Sequence, residues 1–158
     1  EGKPLKEDKS KRDELLKRYF HEHHRALTNQ VRESLEFAGT ALILDCHSFP
    51  QHPLPYELDQ APVRPQICIG VDEFHTPDRL TQSLTSLFST EGLTVAINAP
   101  FRGSIVPMDY YQTEQQVQSL MIEVRRDIYM NESTGKKTRN FSEMQRLIQS
   151  ATALLRDD

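Results

Sequence analysis

The chain has 158 residues, of which 37% are hydrophobic, and its 19 basic and 23 acidic residues give a formal net charge of −4. This length predicts one folded domain over residues 1–158, and the composition excludes the intrinsically disordered class. The charge gives no support for a nucleic-acid or anionic-membrane surface, and no apolar stretch approaches the length of a membrane span. We therefore expect no nucleic-acid and no membrane partner.

Two cysteines, Cys46 and Cys68, each lie inside an apolar run. Such cysteines are usually small buried thiols on strands, and two of them do not make the disulfide framework of a small secreted protein. We therefore expect both thiols to be buried and the protein to be cytoplasmic.

The first half of the chain alternates between helix and strand patterns. Apolar residues recur at helical spacing over residues 13–37, and Gly39 predicts the end of that helix. The apolar run at residues 40–48 predicts a strand covered on both faces. Five prolines then mark residues 49–65 as a loop or lid, and residues 66–72 predict a second short buried strand.

The second half repeats this alternation. Residues 76–92 predict a helix with Thr76 as its cap and Pro77 at its first position. The remaining predicted elements are a strand at residues 93–98, a loop at 99–116, a strand at 117–131 that passes into a loop, and an amphipathic helix at 140–158. Alternating helices and buried strands predict a three-layer α/β/α domain, in which chemistry gathers just outside the strand ends.

The motif "DCHS" closes the first predicted strand with reactive side chains. Strand alternation sends Asp45 and His47 to one face, an arrangement that suits a metal-binding histidine oriented by an acid. The alternative is a capping aspartate beside a hydrogen-bonded histidine. Nucleophilic catalysis by Ser48 is disfavoured, because no glycine elbow surrounds it.

Glu123 lies inside the apolar part of the last predicted strand. An unpaired carboxylate is costly there, and burial raises its pKa towards the range of a general base. The alternative is an ion pair with Arg125 or Arg126, and the pattern alone does not choose between the two.

Two further motifs carry candidate site residues. In "HEHH" (residues 21–24) no HExxH pattern is present, and His24 falls on the apolar stripe of its helix, so we predict that it packs or supports the site from behind. Arg102 precedes Gly103 in a loop after a strand, where an arginine can hold a substrate carboxylate through two hydrogen bonds. The alternative for Arg102 is a solvated loop arginine.

In order, "LILDCHSFP", "PQICIGVDEFHT", "VAINAPFRGSIVP" and "MIEVRRDIYMNE" resemble the N-formylglutamate amidohydrolase family. The resemblance implies a zinc-carboxypeptidase/phosphorylase-hydrolase-like fold, with a mixed central sheet between helical layers. It also implies a small-molecule substrate, an N-acyl amino acid. Family members typically hydrolyse N-formyl-L-glutamate to L-glutamate and formate, the last step of one histidine-degradation route.

By this resemblance His47 is a ligand of one zinc ion (Zn²⁺) per chain, Glu123 activates the water, and Asp45 orients His47. The further ligands of the family come from an N-terminal "HSG"-type motif that has no match in this chain. Three interpretations follow: the C-terminal part of a longer enzyme, a diverged binding module without a complete metal site, or substitute ligands in "GVDEFHT" (Asp72, Glu73 or His75). A related peptidase or N-acyl amino acid deacylase is a further alternative.

Overall fold

A computed structural model describes residues 10–157, and its first element is a long helix. Helix α1 (Arg12–Leu15) continues through a π-helical segment (Leu16–His21) into α2 (Glu22–Ala38). The helix ends at Gly39, which takes a φ of 71° and donates its N–H to the preceding turn. Glycine adopts this left-handed conformation without steric cost. The predicted helix and its glycine stop are therefore confirmed, whereas the π-helical segment was not predicted.

The sheet has four strands within the described residues, in the order β1-β4-β2-β3. The strands are β1 (Ala41–Phe49), β2 (Ile67–Val71), β3 (Val95–Ile97) and β4 (Val117–Arg125). Strand β1 runs parallel to β4 and β3 runs parallel to β2, while β2 and β4 are antiparallel. The sheet is therefore mixed, as the resemblance implied, and β4 lies at its centre.

Helices cover both faces of the sheet. Helices α3 (Asp78–Thr90) and α4 (Phe141–Asp157) pack on one face. The largest buried cluster lies there and comprises Ile67, Ile69, Leu80, Leu84, Phe88, Leu120, Ile122, Val124, Met144, Ala151 and Leu155. Helix α2 packs on the other face, where Val31 meets Ala41, Ile43 and Val117. The predicted three-layer α/β/α architecture is confirmed. No helix within residues 10–157 has the length and apolarity needed to cross a membrane.

The predicted burial of β1 on both faces is wrong. Leu42 is 37% exposed and the stretch from Cys46 to Ser48 is also exposed, because β1 is the edge strand of the sheet formed by residues 10–157 and no helix of that range covers these side chains. The prediction of two buried thiols is correspondingly wrong for Cys46 and confirmed for Cys68. An apolar run in the sequence therefore does not distinguish an edge strand from a central strand.

The predicted cap of α3 is also wrong. Pro77 takes the N-cap position, with an extended ψ of 138°. The Thr76 hydroxyl instead donates to the backbone oxygen of Ser119 and accepts the backbone N–H of Asp72. Thr76 therefore connects the end of β2 to β4, since the neighbouring strand offers its hydroxyl a buried acceptor.

Candidate active site

The register of the sheet brings His47 and Glu123 side by side. They are directly paired across the parallel strands β1 and β4, and Cys68 of β2 is paired with Glu123 on the other side. Because side chains alternate along a strand, Asp45, two residues before His47, shares its face. The polar end of β1 and the buried carboxyl of β4 thus form one group.

Asp45 and His47 contact each other directly. Asp45 Oδ1 lies 2.8 Å from His47 Nε2, and the side chains are 27% and 49% exposed. A carboxylate that accepts the Nε2 proton fixes the ring orientation and leaves Nδ1 with its lone pair. This contact orients the imidazole at the open edge of the sheet.

Glu123 is the buried member of the group. It is 8% exposed, and its Oε2 has no hydrogen-bond partner among the described residues. Burial raises the pKa of Glu123 above the usual glutamate value; His47 and Arg126 oppose this rise, while Asp45 and Glu57 add to it. A carboxyl with a raised pKa and an oxygen without a partner is suited to exchange a proton with a bound water.

The alternative for Glu123, an ion pair with Arg125, is wrong. The Arg125 guanidinium donates to both carboxylate oxygens of Asp127, at 2.7 and 3.2 Å, and also to the backbone oxygen of Arg64. The other candidate partner, Arg126, has its closest carboxylate contact with Glu132, where Nε and Oε1 are 3.9 Å apart. Arg125 is thus bound to Asp127, whereas Arg126 lies nearer to Glu132 than to Glu123 without a hydrogen bond to either.

The proline-rich loop forms a fixed wall beside this group. Arg64 makes an ion pair with Glu57 in which the two side chains are 1% and 8% exposed, and its Nη1 donates to the backbone oxygen of Pro50 at 3.1 Å. The guanidinium carbon lies 5.5 Å from the ring centre of Phe49 and 5.6 Å from that of Phe101. Such cation–π contacts add to the ion pair. The loop is therefore held at several points.

Arg102 lies in a different cleft. It is exposed, and the cleft around it is also lined by Val71, Asp72, Glu73 and Gln112. Since Val71 is three residues further along β2 than the partner of Glu123, the cleft begins about 10 Å along the strand from that carboxyl. The structure therefore brings together Asp45, His47 and Glu123 and places the predicted carboxylate clamp beside two acidic residues.

A model of the N-formylglutamate amidohydrolase family matches residues 1–130. The chain belongs to this family. It resembles the crystal structure of N-formylglutamate amidohydrolase from Ralstonia eutropha JMP134, with a TM-score of 0.77 and 25% identity over 92% of this chain and 56% of that one. It also shares the fold of a protein from Agrobacterium tumefaciens, with a TM-score of 0.59 and 20% identity over 96% of this chain and 57% of that one.

A search of curated proteins found no match. The chain spans little more than half the length of the Ralstonia eutropha and Agrobacterium tumefaciens structures. Membership of the N-formylglutamate amidohydrolase family rests on the sequence match over most of the chain, and the solved structures support the fold.

Two other histidines considered from the sequence, His24 and His75, are not part of the Asp45, His47 and Glu123 cluster. His24 is half-buried on α2, and its ring centre lies 4.1 Å from that of Phe20 on the same helix. His75 is 1% exposed, and both of its ring nitrogens are engaged. Nδ1 lies 2.7 Å from the Val117 oxygen, and Nε2 accepts the backbone N–H of Gln112 at 2.8 Å. His75 therefore holds the following loop to β4 and has no lone pair left for a metal ion.

The described residues offer part of a zinc centre. Catalytic zinc takes about three protein ligands. Within residues 10–157 no group of three or more His, Cys, Asp or Glu side chains is arranged to hold a metal ion. His47 can supply one imidazole nitrogen, and its contact with Asp45 is the usual support of such a ligand. These residues by themselves therefore do not complete the zinc site that the resemblance implies.

Proposed function

We propose that this chain contributes to the active site of a hydrolase that cleaves the amide of an N-acyl amino acid, most specifically N-formyl-L-glutamate to L-glutamate and formate. Family membership supports the reaction class. The observation that carries the proposal is Glu123, a buried carboxyl whose Oε2 lacks a hydrogen-bond partner among the described residues and which faces the Asp45–His47 pair.

In this proposal Glu123 acts as the general base. It takes a proton from a water molecule, the water oxygen bonds to the formyl carbon, and Glu123 then delivers the proton to the amide nitrogen as the C–N bond breaks. The second proton of the water leaves the formic acid formed and protonates the amine, so the products are formate and the amino acid with its ammonium group, and Glu123 returns to its carboxylate form. Asp45 keeps the His47 ring in place, with Nδ1 available as one ligand of a zinc ion.

The direct test is formate release from a panel of N-acyl amino acids. We expect N-formyl-L-glutamate to be cleaved faster than N-formyl-L-glutamine, N-formyl-L-leucine and N-acetyl-L-glutamate. Preference for another member of the panel would favour a related deacylase or peptidase instead. A preference for N-formyl-L-glutamate would also support a role in a histidine-degradation route, which we place in the cytoplasm.

A second candidate is a binding module that keeps the fold without catalysis. One observation favours it, since the described residues hold no group of three or more metal ligands. This candidate expects N-formyl-L-glutamate to bind in calorimetry while no formate is released with or without added zinc. Formate release that depends on Glu123 would exclude it.

A further inference from the structure

A substrate of the proposed reaction carries at least one carboxylate next to the scissile amide. The cluster of Asp45, His47 and Glu123, where the substrate would bind, already contains two carboxyl groups, and Glu57 lies nearby. Two negative charges at close range repel each other strongly where water is partly excluded. A cation near Glu123 is therefore needed to bind the substrate carboxylate.

Three arginines around the site are bound to other groups or lie in another cleft. Arg64 is buried, and its guanidinium is bound to Glu57 and to backbone oxygens. Arg125 is held by both carboxylate oxygens of Asp127. Arg102 lies in the other cleft, beside Asp72 and Glu73. Each of these would have to leave an existing carboxylate, or another cleft, to reach a ligand beside Glu123.

Arg126 differs from Arg64 and Arg125 in having no carboxylate oxygen within hydrogen-bond distance, although Arg64 also has a buried Nε without a partner among the described residues. Arg126 follows Glu123 by three residues, at the point where β4 passes into a 3₁₀ helix (Arg126–Ile128). Its side chain is 33% exposed, and its buried Nε has no hydrogen-bond partner among the described residues. The nearest carboxylate oxygen, Glu132 Oε1, is 3.9 Å away and already accepts the backbone N–H of Gln51 at 2.9 Å.

We propose that Arg126 binds the substrate carboxylate beside Glu123 and so sets the specificity for N-acyl amino acids. This inference rests on the proposed function. An arginine presents Nε–H and one Nη–H in parallel, a geometry that matches the two oxygens of a carboxylate. A bound carboxylate would give the buried Nε the partner it lacks.

The test is arginine footprinting with phenylglyoxal, read by mass spectrometry on the intact protein. We expect N-formyl-L-glutamate to slow modification of Arg126 at least about tenfold, while modification of Arg102 stays unchanged. N-formyl-L-glutamine keeps only the α-carboxylate, which is next to the scissile amide. It should therefore protect Arg126 as well, and a loss of protection would show that Arg126 binds the side-chain carboxylate instead. The dimethyl ester of N-formyl-L-glutamate carries neither carboxylate and should give no protection.

Kinetics of variants complete the test. Arg126→Lys keeps the charge but loses the paired donors, and Arg126→Gln loses both, so the Michaelis constant should rise about tenfold or more in Arg126→Gln and less in Arg126→Lys. Arg102→Gln is the matched control and should not change it. Protection of Arg126 without formate release would support the binding role and overturn the proposed reaction. Formate release with Arg126 unprotected, or protection of Arg102 alone, would overturn the inference.

Discussion

His47 and Glu123 are paired in register on adjacent strands, yet they have opposite environments. Within residues 10–157 β1 is the edge strand and the His47 side chain is 49% exposed, whereas β4 lies between β1 and β2 and Glu123 as a whole residue is 8% exposed. The strand pair thus places a carboxyl away from water next to an imidazole that is open to a ligand. In the proposed mechanism the buried residue therefore transfers the proton, and the exposed one is the candidate ligand.

The largest expected effect comes from removing the charge on the buried side of this pair. Glu123→Gln keeps the shape of the side chain but cannot accept a proton, so turnover of N-formyl-L-glutamate should fall by about two to four orders of magnitude. Formate release at saturating substrate measures it. Glu91→Gln, an exposed residue next to the end of α3, is the control. Near-normal turnover of Glu123→Gln would remove this residue from the mechanism.

The exposed side of the pair is tested by metal content. If His47 is a zinc ligand, the intact protein should copurify with about one zinc ion, and His47→Ala should reduce this to a small fraction. His23→Ala, on the exposed part of α2, is the control. Elemental analysis after gel filtration measures both. Equal zinc content in His47→Ala and wild type would show that His47 is not a ligand.

The wall beside Glu123 is tested through its buried ion pair. Glu57→Gln leaves the Arg64 guanidinium buried without a counter-charge, a change that typically costs about 3–5 kcal/mol of unfolding free energy. The double variant Glu57→Gln/Arg64→Met should recover part of this loss. Urea unfolding measures both, with Glu91→Gln as an exposed control. A loss below about 1 kcal/mol would show that the loop does not depend on this pair.

The sequence predicted well the features that depend on local geometry. Helical spacing in α2 and apolar runs in the strands reflect local geometry, so the elements and the layer order followed from the pattern. The side-by-side position of His47 and Glu123 did not, because pairing of β1 with β4 joins residues 76 positions apart. The resemblance to the family supplied that link, and the register confirms that the two residues are neighbours.

Features that depend on tertiary context were missed. The exposure of Cys46 depends on which strand lies at the edge, and the engagement of His75 depends on the Val117 oxygen and the Gln112 N–H. The pair Glu57–Arg64 forms inside an irregular loop, where no periodicity signals a contact. The signal that was available for Arg126 was its place directly after the strand that carries Glu123.

The smallest expected effect is a pH dependence of stability that belongs to Glu123 alone. Burial is the main reason why the pKa of this carboxyl is raised in the folded protein. The folded state therefore holds the proton more tightly than the unfolded state, and stability falls as pH rises from the usual glutamate pKa through the raised value. Below the usual value, about 4.3, the group is protonated in both states and contributes no slope.

Glu123→Gln removes this slope, because an amide stays neutral at every pH. The difference in unfolding free energy between Glu123→Gln and wild type should be constant at low pH and should then increase in favour of the variant as pH rises towards neutrality. Groups that titrate equally in both proteins cancel in this difference. Urea unfolding at closely spaced pH values measures it, with Glu91→Gln as the control for losing one carboxylate. A difference that stays flat, or that favours wild type as pH rises, would mean that the negative charges of Asp45 and Glu57 and the desolvation of Glu123 are outweighed by His47 and Arg126.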